Sequence, residues 1–374
     1  MHLTFRAVSE PQPGPVWAGL FKGYWPAYRK WWAREGLAAR PPHAECLRAL
    51  KTHMPEIVGL YEDLCVLAGD DPDAARFLSF YTPPAYLAGC SQAIWPGEAP
   101  LLVRNYDYDP KATDAVLLHS GWQGRGVIGM TDGLFGLIDG MNDAGLAVSL
   151  TFGGRPEVGK GFGVPLILRY ILQTCETAAE AGAALKRIPS HMSYNVTVLD
   201  RGRNYLTAYL APDRETILTR AAVATNHQER VEWIGHARMT ATVERERFLL
   251  QRITLHVEPA ETFVAAFLRP PLYSTAFNRG FGTLYTAAYR PRTGTVDIHW
   301  PGSVWPQGFA DFRPGTRRIL VPAGARSAHR STAGTDCGRP GVRLNAAHAG
   351  PDDKPPHPAP GNRPAAHLRH HLAP

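Results

Sequence analysis

Apolar positions recur with two different periods along the chain. Over residues 1–89 the period is helical. Phe21, Trp25, Tyr28 and Trp32 follow i, i+4, i+7, i+11, and Ile57, Leu60, Tyr61, Leu64 and Leu67 share one stripe. The spacing predicts a helix carrying the aromatic run, a second over His43–Leu50, a third over Pro55–Leu67 and a short fourth over Asp73–Phe80. Asp70-Asp71-Pro72 and Pro83-Pro84 punctuate them.

From Cys90 onward, short apolar runs alternate with Gly and Asn/Asp turns. They predict strands at Ser91–Ile94, Leu101–Tyr106, Ala115–His119, Leu134–Asp139, Ala147–Phe152, Asn195–Asp200, Tyr205–Leu210, Arg220–Ala224, Thr283–Tyr289, Thr295–Trp300 and Arg318–Val321. Helices are expected at Pro165–Thr174, at Ala178–Arg187 behind a Thr177/Glu180 capping box, at Thr240–Ile253 and at Pro259–Leu268. Strands and helices in blocks, without strict alternation, imply an α+β fold of antiparallel sheets layered with helices.

Composition changes the picture at one end. Residues 323–374 contain no Phe, Trp or Tyr and are rich in Pro, Ala, Gly, Arg and His. Such a segment buries too little apolar surface to offset its ordering entropy, so a disordered tail is expected. Lys plus Arg number 40 against 33 Asp plus Glu, a net charge of +7, but part of that charge belongs to this tail. His367, His370 and His371 could bind metal there, although compositional drift explains them without one. Elsewhere, 44% hydrophobic and 10% aromatic residues exclude a wholly disordered chain. No apolar run approaches the ~18 residues of a membrane span, and the N-terminus lacks the pattern of a signal peptide. Five Cys without a C-x-x-C pair argue against a disulfide scaffold or a zinc ribbon and fit reduced thiols in a cytoplasm. The expectation is a cytoplasmic protein with no metal, no cofactor, and neither nucleic acid nor membrane as partner.

Three patterns invite readings that their context weakens. Arg29, Lys30 and Arg34 interleave the aromatic run, as on a nucleic-acid stacking surface, but the helical period favours aromatics buried against protein. Gly154-Arg155-Pro156-Glu157-Val158-Gly159-Lys160-Gly161 matches G-x-x-x-x-G-K, yet Gly161 stands where a magnesium-binding hydroxyl belongs and Pro156 removes a donor. Gly124-Arg125-Gly126-Val127-Ile128-Gly129 matches G-x-G-x-x-G without a helix start behind it, so turn chemistry is expected.

The chemistry concentrates at Gly89-Cys90-Ser91, where the helical texture ends, followed by Arg104-Asn105-Tyr106-Asp107. A lone Cys fills cores. A hairpin returning across Pro96-Gly97 changes that, because it brings Arg104 and Asp107 beside Cys90. A guanidinium there lowers a thiol pKa, and a carboxylate can hold an ammonium group. Cys46 and Cys65 fall in the helical zone before Cys90, Cys175 ends an apolar helix and reads as core, and Cys337 lies in the tail.

With these residues the sequence resembles the thiol-type N-terminal-nucleophile (Ntn) hydrolases, in the branch of the penicillin (isopenicillin N) acyltransferases, related to choloylglycine hydrolases. Gly140-Met141-Asn142-Asp143-Ala144-Gly145-Leu146-Ala147-Val148, Thr225-Asn226-His227, and Arg245 or Arg247 on the next helix extend the resemblance over about Pro55–Pro322. Val103 departs from the glycine the family has before its arginine.

The resemblance implies a four-layer αββα sandwich over residues 90–322, preceded by a helical pro-segment over 1–89 that the protein cuts from itself. Cys90 would attack the Gly89 carbonyl, form a thioester by an N-to-S shift, and be released by water with a free α-amine as its base. Gly89 would supply the backbone freedom such an attack requires. Asp107 would hold the amine and Arg104 the thiolate or a substrate carboxylate. Asn226 would donate to the oxyanion, Thr151 or its backbone would be a second donor, and Arg245 or Arg247 would complete the charge network. Tyr106 would line the pocket. The implied substrate is a small acyl amide or acyl donor, with water or an amine as acceptor, and the processed fragments would stay together as a heterodimer. A non-catalytic relative that binds an acyl or peptide ligand, and a nucleotide-binding enzyme using Gly154–Lys160, are the competing readings.

Overall fold

The computed structural model describes residues 2–254 and 258–320. Along the chain come β1 (His2–Glu10), α1 (Pro15–Trp32), α2 (His43–His53), α3 (Val58–Leu67) and α4 (Pro72–Leu78). A strand-rich block follows with β2 (Gly89–Trp95), β3 (Leu101–Tyr108), β4 (Val116–Ser120), β5 (Val127–Asp132), β6 (Gly136–Asn142) and β7 (Leu146–Phe152). Next are α5 (Val164–Thr174), α6 (Ala178–Arg187), β8 (Tyr194–Asp200), β9 (Tyr205–Leu210), β10 (Ile217–Thr219) and β11 (Val223–Ala224). The described part closes with α7 (Ile234–Thr240), α8 (Thr242–Thr254), α9 (Ala260–Ala266), β12 (Thr275–Ala276), β13 (Phe281–Arg290), β14 (Thr295–Trp300), β15 (Ser303–Gly308) and β16 (Gly315–Leu320).

The strands form two sheets. The larger runs β10-β9-β8-β7-β6-β5-β4-β1-β16, and the smaller runs β11-β2-β3-β13-β14-β15 with β12 beside β13. Pairing is antiparallel except between β1 and β4. The sheets face each other through polar as well as apolar side chains. Gln92 of β2 accepts from Ser149 Oγ of β7 at 2.6 Å and donates to Thr197 Oγ1 of β8 at 2.8 Å. Helix α5 covers the outer face of the large sheet, where Asn142 of β6 donates to the carbonyls of Leu172 and Cys175. On the outer face of the small sheet, Ala93, Leu101, Val103 and Val223 pack against Leu249 of α8 and Phe263, Val264 and Phe267 around α9. The layering is therefore α, β, β, α, as expected.

Residues before Cys90 are largely helical, as expected, but β1 lies within the large sheet. Only Phe5, Ala7 and Glu10 of that strand are buried, too short a pattern to read as a strand in the sequence. The aromatic face of α1 does pack internally. Trp17 stacks on Phe21 at 5.0 Å, Phe21 on Trp25 at 5.5 Å, and Trp25 and Tyr28 lean on Phe77 of α4. The predicted helix at Thr240–Ile253 corresponds to α8; a further short helix that the sequence did not signal, α7, precedes it, and Ala241 in left-handed conformation at φ 49° divides the two. The glycine-rich segment at 124–129, read as a turn, leads into β5. The tail, with His367, His370, His371 and Cys337, lies outside the described residues.

Candidate active site

Strand β2 opens at Gly89 because the turn at Pro96-Gly97 folds it onto β3, in a register that pairs Gly89 with Asp107, Cys90 with Tyr106 and Gln92 with Arg104. Alternation then points Cys90, Gln92, Arg104 and Tyr106 into the space between the sheets, and Ser91 and Asp107 towards α8. The site forms where these two faces meet the chain around Asn226.

Arg104 reaches Cys90 directly, with Nη2 donating to Sγ at 3.2 Å. Its Nη1 donates to the Ile138 carbonyl at 2.6 Å and pairs with Asp139 of β6 across the sandwich. The guanidinium also lies over the Tyr106 ring, 4.8 Å from its centroid. Burial pushes the Cys90 thiol above its ordinary pKa, and Arg104 pulls it back. Cys90 is 0% exposed, so solvent does not reach its sulfur in the intact chain.

Asn226 follows β11, which runs antiparallel to β2, and so lies alongside Cys90. Its Oδ1 accepts from the Cys90 backbone N–H at 3.1 Å and from Arg245 Nη2 at 2.6 Å. Its Nδ2 donates to the carbonyls of Ala88 at 3.3 Å and Phe152 at 3.2 Å. Both contacts of Oδ1 are donors, which fixes which end of the amide is oxygen. Thr242, the first residue of α8, accepts the Asn226 N–H at 2.7 Å.

Arg245, one turn into α8, is the arginine that enters the site. It donates through Nη1 to the Cys90 carbonyl at 2.6 Å and to Ser91 Oγ at 2.8 Å, and lies 3.8 Å from Asp107 Oδ2. Arg247 is exposed on the opposite helix face and touches none of these groups, which removes it from the constellation. Two residues apart on a helix means opposite faces, and only the packing of α8 reveals which face is inward. Asp107 accepts from Thr283 Oγ1 at 2.7 Å. Burial pushes its carboxyl up to about 6, with Arg245 opposing the rise.

Thr151 is fully buried, and in the uncut chain its hydroxyl donates to the Thr225 carbonyl at 2.7 Å. Asn195 Nδ2 donates to Thr151 Oγ1, to Thr225 and to His227, and the group fixes the approach to Asn226. Space is tight at Gly89, where a Cβ would sit 3.2 Å from Asp107 Cβ and 3.4 Å from the Phe281 ring.

The G-x-x-x-x-G-K segment has other duties. Gly154, at φ 72°, lets the chain pass so close to the Asn226 carbonyl that a Cβ would stand 2.3 Å from it. Arg155 is held by Asp213 and Glu232, and exposed Lys160 pairs with Glu45. The Gly159 N–H donates to the His191 carbonyl at 3.0 Å, so that glycine of the motif serves the fold. Among the described residues no group of three His, Cys, Asp or Glu is placed to hold a metal ion, and no helix is long and apolar enough to cross a membrane.

Sequence reasoning missed Asp139 and Thr242 as members of the site, and placed Ser91 beside Cys90 without assigning it a contact. Asp139 and Thr242 act through partners distant in sequence, and neither sits in a spacing that signals chemistry.

No curated protein matches the chain. Among solved structures it is similar to a penicillin V acylase from Agrobacterium tumefaciens, at 12% identity over 61% of this chain and 90% of that one, with a TM-score of 0.44. It is similar to a mutant form of a conjugated bile acid hydrolase from Clostridium perfringens, at 12% identity over 64% of this chain and 100% of that one, with a TM-score of 0.42. A Caenorhabditis elegans N-acylethanolamine-hydrolyzing acid amidase ortholog is similar at 16% identity over 54% and 93%, with a TM-score of 0.39. The family model described as acyl-coenzyme A:6-aminopenicillanic acid acyl-transferase matches residues 95–305, a stretch that holds Arg104, Asp107, Asn226 and Arg245 and begins five residues after Cys90. Since that match spans more than half of the sequence, the chain belongs to the acyl-coenzyme A:6-aminopenicillanic acid acyl-transferase family.

Proposed function

We propose that the protein is a self-processing cysteine hydrolase or acyltransferase that acts on a non-peptide amide bond of a small acyl amide. The carrying observation is the set of contacts around Cys90: sulfur on Arg104, backbone N–H on Asn226, carbonyl on Arg245. These are the groups that self-cleavage and amide chemistry at one residue both need.

In the first step Cys90 Sγ adds to the Gly89 carbonyl carbon. The Gly89–Cys90 C–N bond breaks as the nitrogen takes the thiol proton, and a Gly89 thioester with a free Cys90 amine results. Water then cleaves the thioester, giving a Gly89 carboxylate and restoring the thiol. The new α-amine, of reference pKa about 8, can take the thiol proton in later turnovers. Asp107 holds that amine as an ammonium when it is protonated. In turnover the thiolate takes the acyl group of the substrate as its amine departs, and water or a second amine removes it. Asn226 Nδ2, which rests on the Ala88 carbonyl in the uncut chain, becomes the oxyanion donor once that segment withdraws, a contribution of about 3 kcal/mol.

The fragment ending at Gly89 stays bound in this reading. β1 is paired on both sides, Trp17 Nε1 donates to the Leu134 carbonyl, Tyr24 Oη to the Asp114 carbonyl, and Trp122 Nε1 to the Glu10 carbonyl. A reducing, cytoplasmic setting agrees with the four free cysteines among the described residues. Purified protein is expected to run as two fragments on a denaturing gel, cut before Cys90 and co-eluting in native chromatography, with amidase activity. Cys90→Ala is expected to be uncut and inactive. A wild-type chain that stays intact on long incubation would favour the non-catalytic binding protein instead.

A further inference from the structure

Arg104 is the group nearest the sulfur, and its own surroundings are unusual. The side chains of Arg104 and Asp139 are both fully buried. Arg104 extends from β3 and Asp139 from β6, so the pair crosses the gap between the two sheets. Asp139 Oδ2 receives Arg104 Nη1 and Tyr285 Oη, and Oδ1 receives Tyr289 Oη. Tyr285 and Tyr289 lie on β13, which pairs with β3 so that Ala287 faces Arg104 and the two tyrosines flank it. The carboxylate is thus held by three donors at a fixed place in the opposite layer.

We propose that Asp139 is a positioning residue for the reaction at Cys90: it aims the Arg104 guanidinium so that Nη2 faces the sulfur, and it neutralises that guanidinium so that the sulfur keeps its proton until the α-amine is available. This rests on the reading of Cys90 as nucleophile.

The geometry supports both halves. A guanidinium is a rigid fork, so fixing Nη1 on Asp139 and on the Ile138 carbonyl determines where Nη2 points. The Nε of Arg104 has no partner, so besides the Tyr106 ring beneath it these two contacts are what hold the fork in place. A buried cation with a contacting anion presents little net field to a third group, whereas an unpaired one favours an adjacent thiolate strongly. The other titratable groups that act on Cys90 are Tyr106 from β3 and Tyr194 from β8 and, on the side of α8, Asp107 and Arg245. Of these, Asp107 and Arg245 offset each other in charge, and the tyrosines are neutral. The charge state at Asp139 therefore decides whether the sulfur sees a net cation.

Two variants in the full chain test this. Asp139→Asn keeps the shape and removes the charge. The processed enzyme is expected to show the acidic limb of its kcat/KM–pH profile moved down by about one pH unit or more, with plateau kcat within about tenfold of wild type. A processed variant with the wild-type limb overturns the proposal, because a merely structural Asp139 would not move it. Asp139→Glu keeps the charge and displaces it by one methylene. It is expected to retain the wild-type limb and KM within about twofold while kcat falls about tenfold or more, and a Glu variant as fast as wild type overturns the proposal even where the Asn variant does not fold. A wild-type chain that neither cuts before Cys90 nor turns over overturns the underlying reading and this one with it; one that does both, beside unaltered variants, overturns this one alone.

Discussion

Replacing Asp107 by Asn is expected to stabilise the fold and abolish its chemistry. The carboxyl is buried beside Thr283 and Arg245, and its pKa is pushed up to about 6 from an ordinary 3.8. That value already nets the attraction of Arg245 against the loss of hydration, so the ionised form is disfavoured in the folded chain. At about 1.4 kcal/mol per pH unit, the displacement is worth roughly 3 kcal/mol. For an acid whose folded pKa lies above its unfolded one, the native state holds more protons between about pH 4 and pH 6. Its contribution is fully present below about pH 4 and is lost as pH rises through about 6. Asn mimics the protonated acid, keeps an acceptor for Thr283 and never ionises. The assay is urea denaturation of Asp107→Asn against its parent, both carrying Cys90→Ala so that neither is cut. The variant is expected to match its parent at about pH 4 and exceed it by about 3 kcal/mol at about pH 8. A variant weaker than its parent at the higher pH, or an offset independent of pH, would refute the claim that burial governs this carboxyl. The same substitution in the Cys90 protein is expected to lose turnover, since an amide cannot hold an ammonium group.

Further outcomes follow from single contacts. Arg245→Ala leaves Asp107 buried without its counter-charge and strips donors from the Cys90 carbonyl and Asn226, so a loss of about 3–5 kcal/mol in denaturant unfolding is expected, against at most about 0.5 kcal/mol for exposed Arg247→Ala. Gly89→Ala is expected to slow self-cutting in a gel time course, because its Cβ must displace Asp107 or Phe281; cutting at the wild-type rate would show that the spacing there is not critical. Asn226→Ala is expected to lower kcat on processed enzyme about 100-fold or more with little change in KM. A change confined to KM would make Asn226 a binding residue. Lys160→Ala is expected to leave melting temperature unchanged with or without ATP, its ion pair with Glu45 lying at the surface.

Much of the layered architecture was legible because its strands and helices carry their own signals. The run from Tyr194 to Asp200 is apolar and β-branched, and Thr177 with Glu180 closes a helix end within four residues. β1 was not legible, since its burial comes from β4 and β16, which no local window contains. β5 was masked by glycines that the tight pairing with β6 requires. In the site, Cys90, Arg104 and Asp107 could be found because one hairpin brings them together. The choice between Arg245 and Arg247 could not be made, because it depends on how α8 is rotated against the small sheet. The hydrogen bond from Thr151 to the Thr225 carbonyl was not legible either, because it joins two strands far apart in the chain.

The pairing of β1 with β16 has a bearing on how the molecule comes to be made. His2 lies opposite Leu320, so a strand made before all the helices has to wait for a partner made after them. Until then one side of β1 presents bare amide and carbonyl groups, and the sheet cannot close. Assembly is therefore slow and open to intermolecular strand capture, and chaperone demand should fall on the interval between synthesis of these two segments.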